Sequence, residues 1–234
     1  MLFTAAFWAK TFWVLPLIAL GAYLLGSFNT ALIVSRLWFK SDIRTSGSGN
    51  AGFTNVLRTY GKWPAILTAA GDLGKSLLAV LLGGLVLITA AQTCIDGRPE
   101  LEMEARLIGQ YLAGLFCVLG HLFPLYFGFR GGKGVMTTLG MMLILDWRVA
   151  LLALSVFFIV LYISKMVSLG SICAAGILPV LTGLFRGLVD RVTTEALLFC
   201  TLMALLIGLI LIVKHRSNIS RILHGTENKI TKKG

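Results

Sequence analysis

Long apolar runs separated by short polar segments fill most of this 234-residue chain. A helix that crosses the hydrocarbon core of a bilayer needs about 20 predominantly apolar residues. The pattern therefore predicts an all-α, polytopic membrane protein with about seven transmembrane helices. The candidate helices cover residues 12–36, 64–92, 106–125, 134–145, 149–164, 168–186 and 194–214. The fourth and fifth are short for full spans, and six spans is the alternative if they form one broken pair.

Composition favours lipid as the solvent for most of the outer surface. Hydrophobic residues make up 57% of the chain and charged residues 13%, whereas a soluble protein carries about 25% charged residues. No long polar linker interrupts the chain, so residues 1–234 are predicted to form a single integral-membrane domain. The four cysteines are scattered, which predicts buried apolar positions rather than disulfides or a metal site.

The distribution of charge predicts the orientation in the membrane. With seven spans, one set of connecting segments holds 14 of the Lys and Arg residues and the opposite set holds 6. Cytoplasmic loops are the ones enriched in Lys and Arg. The N-terminus is therefore predicted to lie outside, and the tail 215–234 in the cytoplasm. Topology accounts for the net charge of +11, and no nucleic-acid partner is predicted. The acidic connection 93–106 is expected to be a solvated outer loop.

The first polar segment on the predicted cytoplasmic side is dense in glycines and small hydrogen-bond donors. It reads Gly-Ser-Gly-Asn-Ala-Gly-Phe-Thr-Asn-Val-Leu-Arg over residues 47–58. Glycines let successive backbone N–H groups turn toward an anion, and an arginine adds a planar charged fork. No strand–helix unit surrounds the G-x-G-x-x-G pattern, so a dinucleotide-binding fold is rejected. The segment favours phosphate binding over a simple turn, with candidate ligands Ser48, Asn50, Thr54, Asn55 and Arg58.

A second segment combines glycines with a lysine. It reads Gly-Phe-Arg-Gly-Gly-Lys-Gly over residues 128–134, after Gly-His-Leu-Phe-Pro at residues 120–124. The segment lacks the first glycine and the final Ser or Thr of a P-loop, which disfavours an ATPase. A helix N-terminus is nevertheless predicted to follow it, and such an end binds anions. The predicted anion cradle consists of Gly131, Gly132, Lys133 and Gly134.

A third segment begins where the last apolar run ends. If it is helical, His215 and Asn218 share a face three residues apart. Attraction to anionic lipid head groups explains Lys232 and Lys233, but it does not explain a histidine, an asparagine and Glu227. The three segments are therefore predicted to converge on one phosphate-handling site at the cytoplasmic face.

Two smaller features accompany these segments. Asp72 and Lys75 lie three residues apart in the second predicted helix, which favours a structural ion pair. Ser168 opens the sixth predicted helix and is expected to be either its N-cap or a donor into the site.

In this order the segments resemble the bacterial acyl-phosphate-dependent glycerol-3-phosphate acyltransferases, the PlsY family. The family patterns are G-S-G-N-x-G-x-T-N-x-x-R at 47–58, G-H-x-x-P followed by F-x-G-G-K-G-V-x-T at 120–137, and H-x-x-N-I-x-R-x-x-x-G-x-E at 215–227. D-x-x-K at 72–75 and V-S-L-x-S at 167–171 match as well. The resemblance spans nearly the whole chain.

The resemblance implies an enzyme of phospholipid synthesis in the bacterial cell membrane. It would transfer a fatty acyl group from acyl phosphate to the sn-1 hydroxyl of glycerol 3-phosphate, forming lysophosphatidic acid and phosphate. Glycerol 3-phosphate would be bound by Asn218 together with the expected catalytic residues His215, Lys133, Arg58 and Ser48. Acyl phosphate, or the oxyanion formed from it, would be held by the glycines at 131, 132 and 134. The remaining implied site members are Asn50, Thr54, Asn55, Ser168 and Glu227.

Several alternatives stay open or are disfavoured at this point. The general base is either His215 or the leaving phosphate of the donor. No cofactor is expected. No metal is expected either, because Asp42 and Asp72 are the only aspartates on the inner half. The alternative function is transport of phosphate or an organophosphate. A transporter would place polar residues near the midplane within two similar halves, and this sequence has no apparent internal repeat.

Overall fold

The computed structural model describes residues 5–95 and 98–230, and this part of the chain is helical without β-strands. Its α-helices are α1 Ala5–Thr11, α2 Val14–Gly26, α3 Thr30–Phe39, α4 Phe53–Tyr60, α5 Lys62–Ile95, α6 Pro99–Leu122, α7 Val135–Leu145, α8 Trp147–Ser164, α9 Val167–Leu184, α10 Thr194–Lys214 and α11 Arg216–Leu223. Short 3-10 turns cover Ile43–Thr45 and Leu125–Phe127, and a π-helical turn covers Phe185–Val189. Lys232 and Lys233 lie outside the described residues.

Six helical segments of the described chain are long and apolar enough to cross a membrane. They are Val14–Phe39, Lys62–Ile95, Pro99–Phe127, Trp147–Ser164, Val167–Val189 and Thr194–Lys214. The fourth predicted helix corresponds to α7, which is apolar but shorter. The all-α, polytopic fold is therefore confirmed, while the count of seven spans and the outward N-terminus stay predictions.

The first predicted helix, 12–36, was wrong as a single element, because Asn29 starts a new helix within it. Asn29 has an extended backbone, and its side-chain oxygen accepts the Leu32 N–H at 3.1 Å. This is the usual geometry of an N-cap, which satisfies an N–H that the helix cannot. The amide nitrogen of Asn29 also donates to Ala51 O at 3.4 Å, so the break in the helix contacts the first glycine segment.

The expectation of a solvated outer loop at 93–106 was also wrong for most of that range. Helix α5 continues to Ile95, and α6 begins at Pro99. Proline at the first helical position costs no hydrogen bond, and the acidic side chains of the first turn favour the positive end of the helix dipole. Glu102 also pairs with Arg106 one turn later, at 3.0 Å.

The chain divides into two compact units, Met1–Leu145 and Asp146–Gly234. In the first unit, α5 and α2 both pack against α6, and α7 packs against α5. Helices α5 and α6 approach closely where glycines face each other, since a Cβ on Gly83 would lie 2.6 Å from Gly109 O. In the second unit, α9 packs against both α8 and α10. A single domain over residues 1–234 stays a prediction.

An ionic network closes one end of the second unit. Asp146 is the N-cap of α8 and accepts the backbone N–H of Arg148 at 3.1 Å. The Arg148 guanidinium also binds Asp190 at 2.8 Å, and Arg186 binds the same carboxylate at 3.1 Å. Burial acts to raise the pKa of Asp146, but the hydrogen bonds from Arg148 and the charge of Arg186 hold that pKa below its ordinary value of 3.8.

Candidate active site

The first glycine segment is a loop that Asn55 holds from the helix after it. Asn55 is 1% exposed. Its amide nitrogen donates to Ile43 O at 3.1 Å and to Ser46 O at 3.0 Å, and its oxygen accepts the Ser48 N–H at 2.9 Å. Gly47 has φ +57°, and a Cβ there would overlap the Asn55 oxygen. Asn55 therefore shapes the loop, and its direct contact with a substrate stays a prediction.

Four other predicted ligands lie along this loop and the start of α4. Ser48 and Arg58 are exposed, whereas Asn50 and Thr54 are half-buried. None of these four side chains makes a hydrogen bond to another residue between 5 and 95 or between 98 and 230. Gly52 precedes α4 without a side-chain cap, so the first N–H groups of that helix also lack an intrahelical partner. The arrangement offers donors of several kinds to an anion.

The second glycine segment is anchored to the end of α6. The Gly131 N–H donates to Leu122 O and the Gly132 N–H donates to His121 O, both at 3.2 Å. Because the last carbonyls of a helix have no partner within it, these bonds satisfy the helix end. They also fix the backbone of the segment.

The two glycine segments lie directly against each other at Gly132. A Cβ on Gly132 would lie 2.5 Å from Ala51 O, so a larger residue would push the segments apart. Lys133 follows and is half-buried. Gly134 has φ +82°, and α7 begins at Val135. The lysine thus stands between the contact with the first segment and the start of α7, and the helix start at Val135 is confirmed.

Arg44 ties the two glycine segments together, and sequence reasoning missed it. Its guanidinium donates to Phe127 O at 2.8 Å and to Arg130 O at 3.0 Å. Two nitrogens of the same group bind Asp42, at 2.9 and 2.6 Å. These hydrogen bonds from Arg44, with a further one from Arg36, hold the pKa of Asp42 well below its ordinary value. The sequence did contain a sign of this contact, because Asp42 and Arg44 are an acid and an arginine two residues apart just before the first glycine segment.

A buried ionic cluster lies beneath the second glycine segment. Lys75 Nζ lies 2.9 Å from Asp72 Oδ1, which confirms the predicted ion pair. His121 joins this pair, with Nδ1 3.0 Å from Lys75 Nζ and 3.4 Å from Asp72 Oδ1. All three side chains are at most 7% exposed. The histidine of the G-H-x-x-P pattern is thus a partner of the ion pair, which spacing along the chain did not indicate.

In the second unit, Glu227 gathers the predicted site residues around its carboxylate. Ser168 Oγ and Asn218 Nδ2 donate to one oxygen at 2.9 and 2.8 Å, and Arg221 Nε donates to the other at 2.7 Å. Burial acts to raise the pKa of Glu227, but hydrogen bonds from Asn218, Ser168 and Arg221 outweigh it. The pKa lies below its ordinary value of 4.5, so the carboxylate is ionised at neutral pH.

Ser168 is not the N-cap of α9, which was one of its two expected roles. The N-cap position belongs to Met166, and the Ser168 hydroxyl is used by Glu227 instead. The chain beyond Glu227 also returns to the start of α9, because the Ile230 N–H donates to Lys165 O at 2.8 Å. The tail is therefore fastened to the same part of the second unit by side-chain and backbone contacts.

His215 lies at the junction of α10 and α11 and is 3% exposed. Its Nδ1 lies 2.8 Å from Leu211 O. A carbonyl oxygen only accepts, so Nδ1 carries a proton and Nε2 of the neutral ring is left with the lone pair. Asn218 follows on α11, which confirms the helical spacing that the sequence required. The imidazole is therefore oriented by the backbone, with a basic nitrogen at its other end.

Each unit thus assembles its own share of the predicted residues. The first brings together the two glycine segments, with Ser48, Asn50, Thr54, Asn55, Arg58, Gly131, Gly132, Lys133 and Gly134. The second brings together Ser168, His215, Asn218 and Glu227. One pocket shared by all of them stays a prediction. Among the residues that the structure describes, no group of three or more His, Cys, Asp or Glu side chains is placed to hold a metal ion.

Comparison with known proteins identifies the family of this chain. A family model described as glycerol-3-phosphate acyltransferase matches residues 16–225. Proteins named glycerol-3-phosphate acyltransferase from Clostridioides difficile and Prochlorococcus marinus are 40% and 38% identical, covering 93% and 92% of this chain and 96% of each relative. The crystal structure of PlsY, an integral membrane glycerol 3-phosphate acyltransferase in its glycerol 3-phosphate form, is 32% identical. It matches with a TM-score of 0.71 over 93% of this chain and 96% of its own. The chain belongs to the glycerol-3-phosphate acyltransferase family.

Proposed function

We propose that this protein transfers a fatty acyl group from acyl phosphate to the sn-1 hydroxyl of glycerol 3-phosphate, forming lysophosphatidic acid and phosphate. One observation carries the proposal: two glycine-rich segments, one ending in Arg58 and the other carrying Lys133, lie against each other and are joined by Arg44. Both substrates carry phosphate, and two adjacent anion cradles suit two phosphate-bearing reactants. Related crystal structures of PlsY in a glycerol 3-phosphate form and a lysophosphatidic acid form support the same reaction.

The side chains of the first segment suit glycerol 3-phosphate. Arg58 offers a charged fork, and Ser48, Asn50 and Thr54 offer neutral donors and acceptors with no competing side-chain hydrogen bond among the described residues. A hydrogen bond to a charged group contributes about 1.5–3 kcal/mol net. A few such bonds hold a small dianion firmly, which places its hydroxyl for attack.

The second segment suits the acyl phosphate and the charge that develops on it. The glycines at 131, 132 and 134 bring the backbone close to a ligand, and the N-terminus of α7 adds partial positive charge. Attack on the acyl carbon turns its carbonyl oxygen into an oxyanion, and oriented donors stabilise that oxyanion more than the starting carbonyl. Lys133 would balance the charge of the departing phosphate.

The reaction needs no covalent enzyme intermediate. The sn-1 oxygen of glycerol 3-phosphate forms a bond to the acyl carbon, and the bond from that carbon to the phosphate oxygen breaks. The hydroxyl proton ends on the released phosphate. Acyl phosphate is a mixed anhydride and is already activated, so holding the two reactants in line accounts for much of the rate.

The base that removes the hydroxyl proton is either His215 or the donor's own phosphate. The lone pair on His215 Nε2 qualifies it, because its other nitrogen is engaged by Leu211 O. Replacing His215 with Gln and measuring the rate of acyl transfer against pH decides between them. If His215 is the base, the H215Q variant loses the acidic limb of the profile and about 10²- to 10⁴-fold in turnover. An unchanged profile assigns the proton to the donor phosphate.

The segments that carry this chemistry are proposed to face the cytoplasm of a bacterial cell membrane. The chain is an integral membrane protein with several apolar helices, and its glycine segments lie on the side that the excess of Lys and Arg assigns to the cytoplasm. Glycerol 3-phosphate is water-soluble, whereas acyl phosphate and the product carry alkyl chains. A site at the membrane face admits both kinds of molecule.

The purified protein in detergent tests the proposal directly. Acyl phosphate and glycerol 3-phosphate together should yield lysophosphatidic acid and inorganic phosphate in equal amounts. Acyl-coenzyme A replaces acyl phosphate in a parallel reaction and should give no product. Uptake of glycerol 3-phosphate into sealed vesicles without product formation would contradict the proposal and favour a transporter.

A further inference from the structure

The buried cluster of Asp72, Lys75 and His121 has no part in the reaction as described so far. Burying charged groups is costly unless each is paired and hydrogen-bonded. Here Lys75 also donates to Gly26 O at 3.0 Å and to Phe28 O at 2.9 Å. Gly26 is the last residue of α2 and Phe28 follows two residues later, so the ammonium joins the end of α2 to α5 and α6 at one point.

The cluster sets the orientation and the proton of the His121 ring. An ammonium group only donates hydrogen bonds. In the 3.0 Å contact with Lys75 Nζ, His121 Nδ1 is therefore the acceptor, and this contact is shorter than the 3.4 Å between Nδ1 and Asp72 Oδ1. A neutral imidazole with an accepting Nδ1 carries its proton on Nε2. Asp72 holds the ammonium in place from the other side, at 2.9 Å.

The protonated edge of His121 lies against the second glycine segment. A Cβ built on Gly132 would overlap His121 Nε2 and would lie 2.5 Å from Ala51 O. The backbone oxygen of His121 also accepts the Gly132 N–H. One residue thus supports the segment with its ring and with its main chain, at the point where the two glycine segments meet.

We infer that His121, with its tautomer fixed by Lys75 and Asp72, is a positioning residue that holds Gly131–Gly134 in the shape required for acyl transfer. The inference rests on the proposed function, because it assigns the glycine segment to the reaction. His121 itself lies beneath the segment and acts through it. A wrong tautomer or a lost ring moves the backbone donors, and a displacement of about 1 Å costs on the order of 10²-fold in rate.

Two substitutions of His121 test the roles of Nε2 and Nδ1 separately. His121→Gln keeps an N–H donor near the position of Nε2, whereas His121→Asn keeps only an acceptor near the position of Nδ1. Lys75→Met removes the donor that fixes the tautomer. Thr68→Val is the matched control, because Thr68 is fully buried in the same helix and its hydroxyl bonds only within that helix, to Pro64 O. Acyl transfer and amide hydrogen exchange at residues 128–134 are measured for each variant.

The inference predicts that H121N and K75M lose turnover by on the order of 10²-fold, while H121Q stays within about tenfold of the native protein. Hydrogen exchange at 128–134 should rise in the two damaged variants and stay at the native level in T68V. If H121N does not accumulate in folded form, K75M tests the same hydrogen bond by removing its donor, Lys75 Nζ. Equal turnover for H121N, H121Q and the native protein overturns the inference. Absence of turnover in the native protein overturns the proposed function instead.

Discussion

The two units hold their predicted site residues in opposite ways. In the first, Ser48, Asn50, Thr54 and Arg58 bond to no other side chain or backbone group in the described part of the chain, and the loop beneath them is held by Asn55 and Arg44. In the second, Ser168 and Asn218 already donate hydrogen bonds to the same carboxylate, that of Glu227. The first unit presents open donors on a fixed backbone, and the second presents a closed network of side chains.

This difference indicates a division of labour. Open donors gain their hydrogen bonds only when an anion arrives, so their removal should weaken binding and leave the fold intact. A closed network contributes to the stability of the unit before any ligand binds, so its removal should cost both stability and activity. Substitutions in the two units should therefore differ in kind as well as in size.

Among the substitutions that compare the open donors with the closed network, removing Arg58 should have the largest effect on substrate use, with no effect on the fold. Arg58→Ala takes away a charged fork, and a charge-assisted hydrogen bond of about 1.5–3 kcal/mol corresponds to about 10- to 150-fold in kcat/KM for glycerol 3-phosphate. Initial rates at varied glycerol 3-phosphate measure this. Arg191→Ala is the control and should behave as the native protein, because Arg191 is exposed before α10 and its side chain makes no hydrogen bond within the described residues. A large fall in thermal stability for R58A would contradict the open arrangement.

Removing the charge of Glu227 should lower stability and activity together. Glu227→Gln weakens the bond to Arg221, which we expect to cost about 1.5–3 kcal/mol of unfolding free energy and about tenfold or more in turnover. Thermal unfolding and initial rates measure the two effects. Asp146→Asn is the matched control, since Asp146 is likewise bonded to arginine in the second unit. D146N should lose stability and keep its turnover.

The difference in stability between the native protein and E227Q should depend on pH. The pKa of Glu227 is lower in the folded protein than its ordinary 4.5, so the unfolded chain binds its proton first as the pH falls. Its contribution to stability is therefore complete above pH 4.5 and is lost as the pH falls through the lowered folded-state pKa. The stability gap between the native protein and E227Q should shrink over that acidic range. A gap that stays constant would show that the charge of Glu227 is not the cause.

Breaking the link between the glycine segments should have a smaller effect. Arg44→Gln loses the bonds to Phe127 O and Arg130 O and leaves both segments individually anchored. We expect a fall of about tenfold in turnover with a raised KM for both substrates, because both cradles shift together. Arg36→Gln is the control, because Arg36 contacts Asp42 but neither of those carbonyls. If R44Q raises the KM of only one substrate, the segments are not coupled through this residue.

The smallest expected effect is that of replacing a glycine by alanine, and comparing Gly47 with Gly61 separates the cost of backbone strain from the cost of a steric overlap. Gly47→Ala forces a Cβ into the Asn55 oxygen at φ +57°, whereas Gly61→Ala at φ +89° meets open space. Gly61 also has ψ −169°, a backbone conformation that is essentially restricted to glycine and costs another residue about 1–3 kcal/mol, so G61A should lose stability. Only G47A adds an overlap within the glycine segment. G47A should therefore lose more turnover than G61A, whose position at the end of α4 is outside the site. Equal losses of turnover in G47A and G61A would mean that the Asn55 side chain moves aside for the added Cβ without disturbing the loop.

Sequence patterns predicted the fold class and the residue types of the site, because both depend on local composition. The apolar runs reproduced α5, α8, α9 and α10 closely, and glycines beside cations marked both loops. The partners that hold these loops were missed, since Arg44 reaches residues more than 80 positions away and His121 meets Lys75 across 46 positions. Such contacts follow from packing between helices, which periodicity along one helix does not contain.

Two wrong boundaries have the same origin in residues that start helices. The break at Asn29 depends on one side chain that caps α3, at a short polar stretch, residues 26–30, inside a run that is otherwise apolar. The early start of α6 depends on Pro99 and the acidic turn after it, which read as a loop by composition alone. In both places helix-end chemistry decides the structure.

The most direct test of acyl transfer follows the oxygen that bridges carbon and phosphorus in the donor. Acyl phosphate labelled with ¹⁸O at this position is supplied with glycerol 3-phosphate, and the products are analysed by mass spectrometry. Attack at the acyl carbon breaks the bond from carbon to the bridging oxygen, so the label should appear in inorganic phosphate, with none in the lysophosphatidic acid. Label recovered in a free fatty acid, with the phosphoryl group transferred instead, would contradict the account.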